Sequence, residues 1–171
     1  DWSSDVCSSD LTGSTELQNP TTVYNGVDYK LVYDYNYYIN KYPDIKAAFN
    51  GDENATLRHF VECGMNEGRQ GKASFNVAAY RANYADLRSA FGRNLKAYYM
   101  HYIGSGYREG RKATGNGVLK NPVTVYNGVD YSLVYDYNYY ISKYSDLKAA
   151  FYGDDTAALR HFVECGMNEG R

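Results

Sequence analysis

A long internal duplication is the feature of this chain that most restricts its fold. Residues 19–69 occur again as residues 121–171, and the two segments agree without a gap at 42 of 51 positions. Tandem units of this kind bury their apolar faces largely against their neighbours. The duplication therefore predicts a repeat array, and it favours a binding or spacing scaffold over an enzyme.

A third and more divergent copy lies between the two strong ones. Residues 75–111 align with residues 33–69 at an offset of 42, again without a gap. We name the three units A (33–69), B (75–111) and A′ (135–171). The period is thus a pair of unlike units, and we expect this chain to be a monomeric segment of a longer array. The positions kept in unit B include Tyr80, Tyr84, Asp86, Ala90, Phe91, Ala97, His101, Gly106, Glu109, Gly110 and Arg111.

The first eleven residues, DWSSDVCSSDL, match no part of the repeat. They read as the translation of a common short-read sequencing adaptor, so we expect them to be disordered and foreign to the natural protein. Trp2 and Cys7 therefore carry no functional argument.

Each unit carries the signals of three short helices. The first begins at an Asp or Asn N-cap and places tyrosines at helical spacing, which predicts one buried face. The second has an acidic residue near its start, and the third is predicted to stop at a glycine. The residues with these predicted structural roles are Asp34 and Asp136 as N-caps, Asp44, Asp86 and Asp146 at the second helix, and Gly64, Gly106 and Gly166 as stops.

The segments before units A and A′, residues 12–32 and 112–134, are linkers that each predict a small β-hairpin. Asn25-Gly26 and Asn127-Gly128 lie between short runs rich in Val and Tyr, and Asn-Gly favours a two-residue turn with positive φ. We expect each hairpin to pack on the first helix of its unit, because an isolated hairpin is marginally stable. The predicted fold class is mainly α, a tandem repeat of three-short-helix units with a hairpin before A and A′.

Two further positions recur in all three units. Arg69, Arg111 and Arg171 close the units in a Glu-Gly-Arg turn. An arginine that recurs at one turn is expected to bond carboxylates or helix-end carbonyls rather than a ligand. The third helix keeps a histidine, which we interpret as structural: His59, His101 and His161.

Charge and hydropathy exclude two classes of partner. The net charge at pH 7 is −2, and no cluster of Lys and Arg lies on one predicted face, so nucleic acid is not an expected partner. No apolar run reaches the length of a membrane span.

No motif predicts catalysis. Nucleophile elbows, phosphate loops, Rossmann glycine patterns and the zinc-protease helix motif are all missing from the sequence. His59 and Cys63 could share a helix face, but two ligands do not make a zinc site and unit B has Ser105 in place of the cysteine. We interpret them as a core histidine beside a small buried thiol, and we expect no cofactor and no metal.

Adjacent acids at the third helix offer a weaker hypothesis. Asp52 with Glu53 and Asp154 with Asp155 could be read as glycosidase or calcium carboxylates. Acids at a helix start more often cap the helix, and unit B, which has Arg93 and Asn94 just before its third helix, lacks the acidic pair.

Tyrosine is the outlier of the composition, at 21 of 171 residues. Tyr37 and Tyr139 lie outside the predicted buried stripe, and unit B carries a surplus at Tyr98, Tyr99 and Tyr107. A tyrosine ring can stack on the apolar face of a sugar, which makes these five residues the candidate ligand-binding set. The alternative is that the rings pack between repeats.

The unit pattern resembles a known repeat type. Aromatic-Asp-x-x-Tyr-Tyr, Pro-Asp-Leu, His-aromatic-x-x-x-Gly and Glu-Gly-Arg are similar to the short helical repeats of secreted and cell-surface proteins of Gram-positive bacteria, of Lachnospiraceae type. In that group similar units flank cell-wall hydrolases. The resemblance implies an extracellular or cell-surface, non-catalytic module that attaches its parent to peptidoglycan or another polysaccharide. Two alternatives stay open: a spacer or protein-interaction array, and a fragment of a muramidase or amidase whose catalytic domain lies elsewhere.

Overall fold

The computed structural model describes residues 16–49 and 51–171 of the chain. The adaptor-like residues 1–11, with the prediction of disorder made for them, lie outside this part. Within it, each unit forms three seven-residue α-helices followed by a five-residue π-helical turn, which confirms the predicted mainly helical repeat. The helices are α1 Tyr35–Lys41, α2 Pro43–Phe49 and α3 Glu53–His59 in unit A, α4 Val77–Asn83, α5 Ala85–Phe91 and α6 Leu95–His101 in unit B, and α7 Tyr137–Lys143, α8 Ser145–Phe151 and α9 Asp155–His161 in unit A′; the π-helical turns are Phe60–Gly64, Tyr102–Gly106 and Phe162–Gly166.

The first and third helices of each unit begin at a side-chain cap. The carboxylate of Asp34 accepts a hydrogen bond from the Tyr37 N–H at 2.9 Å, and Asn76 and Asp136 act in the same way at α4 and α7. Such caps satisfy backbone donors that have no partner inside the helix. Short helices of seven residues are marginal by themselves, so capping and packing together hold them.

Two antiparallel hairpins precede units A and A′, as predicted. They consist of β1 Val23–Tyr24 with β2 Val27–Asp28, and β3 Val125–Tyr126 with β4 Val129–Asp130. Asn25 and Gly26 have φ values of 48° and 77°, so both central residues are left-handed, as this turn requires.

The predicted docking of the hairpin on the first helix is wrong. Tyr24 Oη of the hairpin instead donates to Glu62 at 2.5 Å, in the π-helical turn that follows α3. The side of α1 is already occupied, because Asn36 exchanges two hydrogen bonds with the backbone of Leu17. The residues that lead into the hairpin therefore cover α1, and the hairpin itself lies over the third helix.

The buried side chains of the described residues form two cores. One is shared by units A and B and is rich in aromatic rings, including Tyr33, Tyr38, Phe60, Phe75 and Tyr99. The other belongs to unit A′ and takes in Ala82 of unit B and Leu119 of the linker. Across residues 16–49 and 51–171, no helix has the length and apolar character needed to cross a membrane.

Candidate functional site

A buried tyrosine and a half-buried histidine form the same pair in every unit. The histidine ring also packs on a phenylalanine of the second helix, as Phe49 does on His59 at 5.5 Å between ring centroids. Burial raises the pKa of the Tyr38 hydroxyl, which therefore stays protonated. The repeated histidines are thus held by contacts inside their own units. The distances from Oη to Nδ1 are 3.3 Å for Tyr38–His59, 2.9 Å for Tyr80–His101 and 3.0 Å for Tyr140–His161.

The glycine that ends each π-helical turn makes room for this tyrosine. A Cβ atom on Gly64 would lie 2.6 Å from Tyr38 Oη, and the glycines of units B and A′ face their own tyrosines in the same way. The turn does end at this glycine, where the sequence predicts a stop. Gly64 does not adopt the left-handed conformation typical of a helix-ending glycine, which occurs four residues later, at Gly68 with φ of 74°.

The arginine that closes each unit contacts two carboxylates. Arg69 Nη1 lies 2.8 Å from Asp44, its Nε lies 2.5 Å from Glu67, and its guanidinium lies over the ring of Tyr42 at 5.0 Å. Hydrogen bonding to Arg69 holds the pKa of Asp44 below its usual value. We call this cluster the closing clamp, and it recurs as Arg111 with Asp86 and Glu109, and as Arg171 with Asp146 and Glu169.

Tyr98 and Tyr99 are fully buried, so the expectation that they present rings to a ligand is wrong. They occupy the core positions that Thr56 and Leu57 fill in unit A. The hydroxyl of Tyr98 donates to the Gly92 carbonyl at 2.9 Å, and the longer Tyr99 reaches the neighbouring unit. Its hydroxyl donates to the Arg69 carbonyl at 2.8 Å, and its ring meets Phe60 edge-on at 5.9 Å. These rings pack inside unit B and across the contact between repeats.

The other candidate tyrosines lie at the surface of three different units. Tyr139 is 61% exposed and Tyr107 is 57% exposed, whereas Tyr37 is half-buried. Lys41 and Lys143 each place Nζ 5.3 Å from the ring centroid of the tyrosine four residues earlier.

The predicted pairing of His59 with a buried thiol is also wrong. Cys63 and Cys165 are free and exposed. The π-helical turn bonds the Met65 N–H to the Phe60 carbonyl, five residues back. In unit B, Ser105 at the cysteine position lies with its Oγ 3.3 Å from His101 Nε2, so what the prediction gets wrong is the burial of the thiol. In the described part of the chain, no three His, Cys, Asp or Glu side chains lie close enough to hold a metal ion.

The side chains of the acidic pairs accept hydrogen bonds from backbone N–H groups. Asp52 caps α3 through the Ala55 N–H at 2.9 Å, and Asp154 caps α9 in the same way. The second acid of each pair accepts a hydrogen bond from the linker, Glu53 from Thr21 at 2.7 Å and Asp155 from Val123 at 3.0 Å.

An arginine that the sequence patterns did not single out lies at the centre of the contact between units B and A′. Arg88 Nε lies 3.2 Å from Asp155, and both side chains are only 3% exposed. The sequence marks this position only by an exchange between units: units A and A′ carry Lys46 and Lys148 where unit B has Arg88, which is a conservative change in charge. The remaining guanidinium nitrogens donate to the carbonyls of Arg81, Ala82, Lys120 and Asn121.

A cleft of about 280 Å³ lies beside this contact. Its lining includes Leu95, Leu119, Arg81 and the ring of Tyr152, which is 51% exposed. Arg81 replaces the buried isoleucine of units A and A′, and its Nε has no hydrogen-bond partner among the described residues. The cleft thus combines apolar surface, an exposed ring and a buried positive charge.

Comparison with known proteins gives no relative. No protein-family model, no curated protein and no solved structure matches the chain. Functional inference therefore depends on the geometry of the units.

Proposed function

We propose that this chain is a non-catalytic repeat module that acts as a structural scaffold in a bacterial surface protein. The observation that supports this function is the use made of the side chains kept in all three units. Tyr80 bonds His101, Asp86 and Glu109 hold Arg111, and Arg111 lies over the ring of Tyr84 at 4.8 Å. The side chains that the divergent copies retain make contacts within their own units, as expected of a repeat scaffold.

The position of the module outside the cell is part of the same proposal. It is supported by the resemblance of the Tyr-Tyr and Glu-Gly-Arg motifs to repeats of Gram-positive surface proteins. A catalytic domain, such as a cell-wall hydrolase, would then belong to another part of the parent.

Small-angle X-ray scattering on the full chain tests the scaffold. A scaffold is expected to give one scattering profile that agrees with the A–B–A′ arrangement and does not change with added polysaccharide. A profile that requires units moving independently on flexible linkers would contradict the proposal.

A second candidate function is binding of a bacterial cell-wall glycan or another polysaccharide. It is favoured by the exposed rings of Tyr139 and Tyr107, and by the cleft that holds Tyr152 beside Arg81. Rings stack on pyranose faces, and a buried guanidinium suits a sugar that carries a carboxylate. Weak sites repeated along an array would gain affinity through avidity.

Sedimentation with purified peptidoglycan and with neutral polysaccharides tests this candidate. Tyr139→Ala and Tyr152→Ala are each expected to reduce retention, whereas Tyr37→Ala, at a half-buried ring, serves as the control. If the parent chain is not retained, or if both variants are retained as well as the parent, glycan stacking at these rings is excluded while the scaffold proposal stands.

A further inference from the structure

The contact between units B and A′ separates into an arginine and a receptor for it. The arginine is Arg88 of α5 in unit B. The receptor belongs to the A′ side and consists of the Asp155 carboxylate with the carbonyls of Lys120 and Asn121. A guanidinium fork can satisfy several such acceptors at once, which a lysine ammonium cannot do in the same geometry.

The receptor has a defined backbone frame. The Val123 N–H bonds Asp155, Asn121 adopts a left-handed φ of 48°, and Asn138 fixes the linker through the Leu119 carbonyl at 3.2 Å. These contacts orient the acceptors toward one point. These contacts lie within the A-type unit and its linker, and one further bond, from the Lys120 N–H to the Ala82 carbonyl at 2.9 Å, joins the linker to unit B.

Unit A carries the same frame on its own linker. The Thr21 N–H bonds Glu53 at 2.7 Å, Asn19 has φ of 53°, and Asn36 exchanges hydrogen bonds with the Leu17 backbone. The corresponding acceptors are the Glu53 carboxylate and the carbonyls of Gln18 and Asn19. Among the described residues, no lysine or arginine pairs with Glu53, and Leu17 is half-buried where its counterpart Leu119 is buried.

We propose that this side of unit A is a docking site for the arginine of a B-type unit. The occupant is defined by its chemistry, namely a guanidinium at the Arg88 position of a second-helix surface. A second A-type unit does not meet this requirement, because Lys46 and Lys148 stand at that position.

The same residues explain why unlike units alternate. The side of an A-type unit that faces the preceding unit carries an acid, Glu53 or Asp155, which can pair with the arginine of a B-type unit. The same side of a B-type unit has Leu95 at the equivalent position, and this leucine lies near Gly68 of unit A. A B unit that followed another B unit would place Arg88 against Leu95 and leave a buried charge without a partner. The pairing of the B-type arginine with the acid of an A-type unit, and the packing of Leu95 near Gly68 of unit A, therefore specify the order A, B, A.

Insertion of a second copy of residues 70–118 between Glu16 and Leu17 of the full chain tests the docking site. The junction keeps Leu17, Gln18 and Asn19 in the linker of unit A, at the positions that Leu119, Lys120 and Asn121 hold before unit A′. We expect the inserted unit to unfold together with unit A. Methionine at the inserted copy of Arg88 is expected to lower the melting temperature by at least about 5 °C, with the native Arg88 intact in every chain.

Glu53→Gln in the inserted chain is the matched partner variant. It is expected to give a loss of similar size, and the double variant is expected to lose little more, because both changes break one contact. Glu53→Asp is expected to retain docking, since unit A′ uses aspartate. Equal melting temperatures with arginine and methionine in the inserted copy, or additive losses, would overturn the proposal. Dimerisation of the parent chain that depends on Glu53 would also overturn it, because Arg88 of a second copy is already buried.

Discussion

Unit B meets its two neighbours through different chemistry. Toward unit A it presents rings, with Tyr99 between Phe60 and Phe75, and Lys96 donates to the Val61 carbonyl at 2.9 Å. Toward unit A′ it presents Arg88, buried against Asp155 and backbone carbonyls. The helical frame of the unit is the same on both sides. A repeat can therefore change its interface by exchanging single side chains, here tyrosine for leucine and arginine for lysine, without changing its fold.

The two A-type units show what coverage by a neighbour does. Met65 is fully buried in unit A, whereas the equivalent Met167 of unit A′ is 51% exposed. Val32 and Val134 differ in the same direction. The sequences of these segments are nearly identical, so the difference in burial comes from unit B, which covers unit A and leaves that face of unit A′ open.

Removal of the ion pair between units B and A′ should have the largest effect on stability. Arg88→Met is expected to lower the free energy of unfolding by about 3–5 kcal/mol, because Asp155 stays buried without its cation. Denaturant unfolding of the full chain measures this loss. Arg93→Met, at an exposed arginine 4.0 Å from Asp154, is the control and should cost less than about 1 kcal/mol. A loss below that of the control would show that the buried pair does not hold the interface.

Converting the ionic interface to an apolar one sharpens the same comparison. Arg88→Met combined with Asp155→Leu is expected to recover most of the stability lost in Arg88→Met, since removal of both charges leaves neither unpaired. The same denaturant series checks it. If the double variant is less stable than the single one, Asp155 has a larger role in holding the Val123 backbone than in pairing with Arg88.

The aromatic interface should be the next most sensitive. Tyr99→Leu places the residue of unit A at this position, removes the ring contact with Phe60 and leaves the Arg69 carbonyl without its donor. We expect a loss of about 2–3 kcal/mol, with Tyr99→Phe costing about 1 kcal/mol for the hydroxyl alone. Tyr107→Leu, at an exposed ring, should change stability by less than about 0.5 kcal/mol. Equal stability of Tyr99→Leu and the parent would contradict a ring-mediated interface.

A glycine pair in unit B separates contacts inside a unit from contacts between units. Gly106→Ala should destabilise by about 1–3 kcal/mol, because its Cβ would collide with Tyr80 Oη. Gly104 lies in the same π-helical turn with no atom near its Cβ position, so Gly104→Ala should be neutral or stabilising by up to about 1 kcal/mol. Thermal unfolding of both variants measures the contrast, and similar melting temperatures would show that Tyr80 yields to the added methyl group.

Removal of a closing clamp should have the smallest effect on stability, and the effect should depend on pH in the acidic range. The pKa values of Asp44 and Asp146 are lowered by hydrogen bonds from Arg69 and Arg171. A carboxyl whose pKa is lower in the folded state stabilises the fold above its unfolded pKa, about 3.9, and loses that contribution as the pH falls through the folded value. Arg69→Gln should therefore flatten the fall in melting temperature between about pH 5 and pH 2. An unchanged pH profile would show that the clamp adds no pH-dependent stability.

Local features of the fold could be predicted from the sequence because they depend on neighbouring residues. The N-caps at Asp34 and Asp136 and the Asn25-Gly26 turn are set by backbone donors and φ preferences within a few positions. Predictions failed where a distant group intervenes. Gly64 is small because Tyr38 approaches it, and the hairpin leaves α1 because the Leu17 segment covers it.

The sequence by itself determined the repeat, its period of unlike units, the helices with their caps, and the hairpin turns. The tertiary structure alone decided which side chains of a unit face its neighbours. Tyr99 and Tyr107 are both candidate tyrosines of unit B from the sequence, yet one is buried between units and the other is exposed. Arg88 differs from Lys46 by a substitution that appears minor in sequence. The reason is that local propensity acts within a few residues, whereas burial and charge pairing depend on groups brought together from other units.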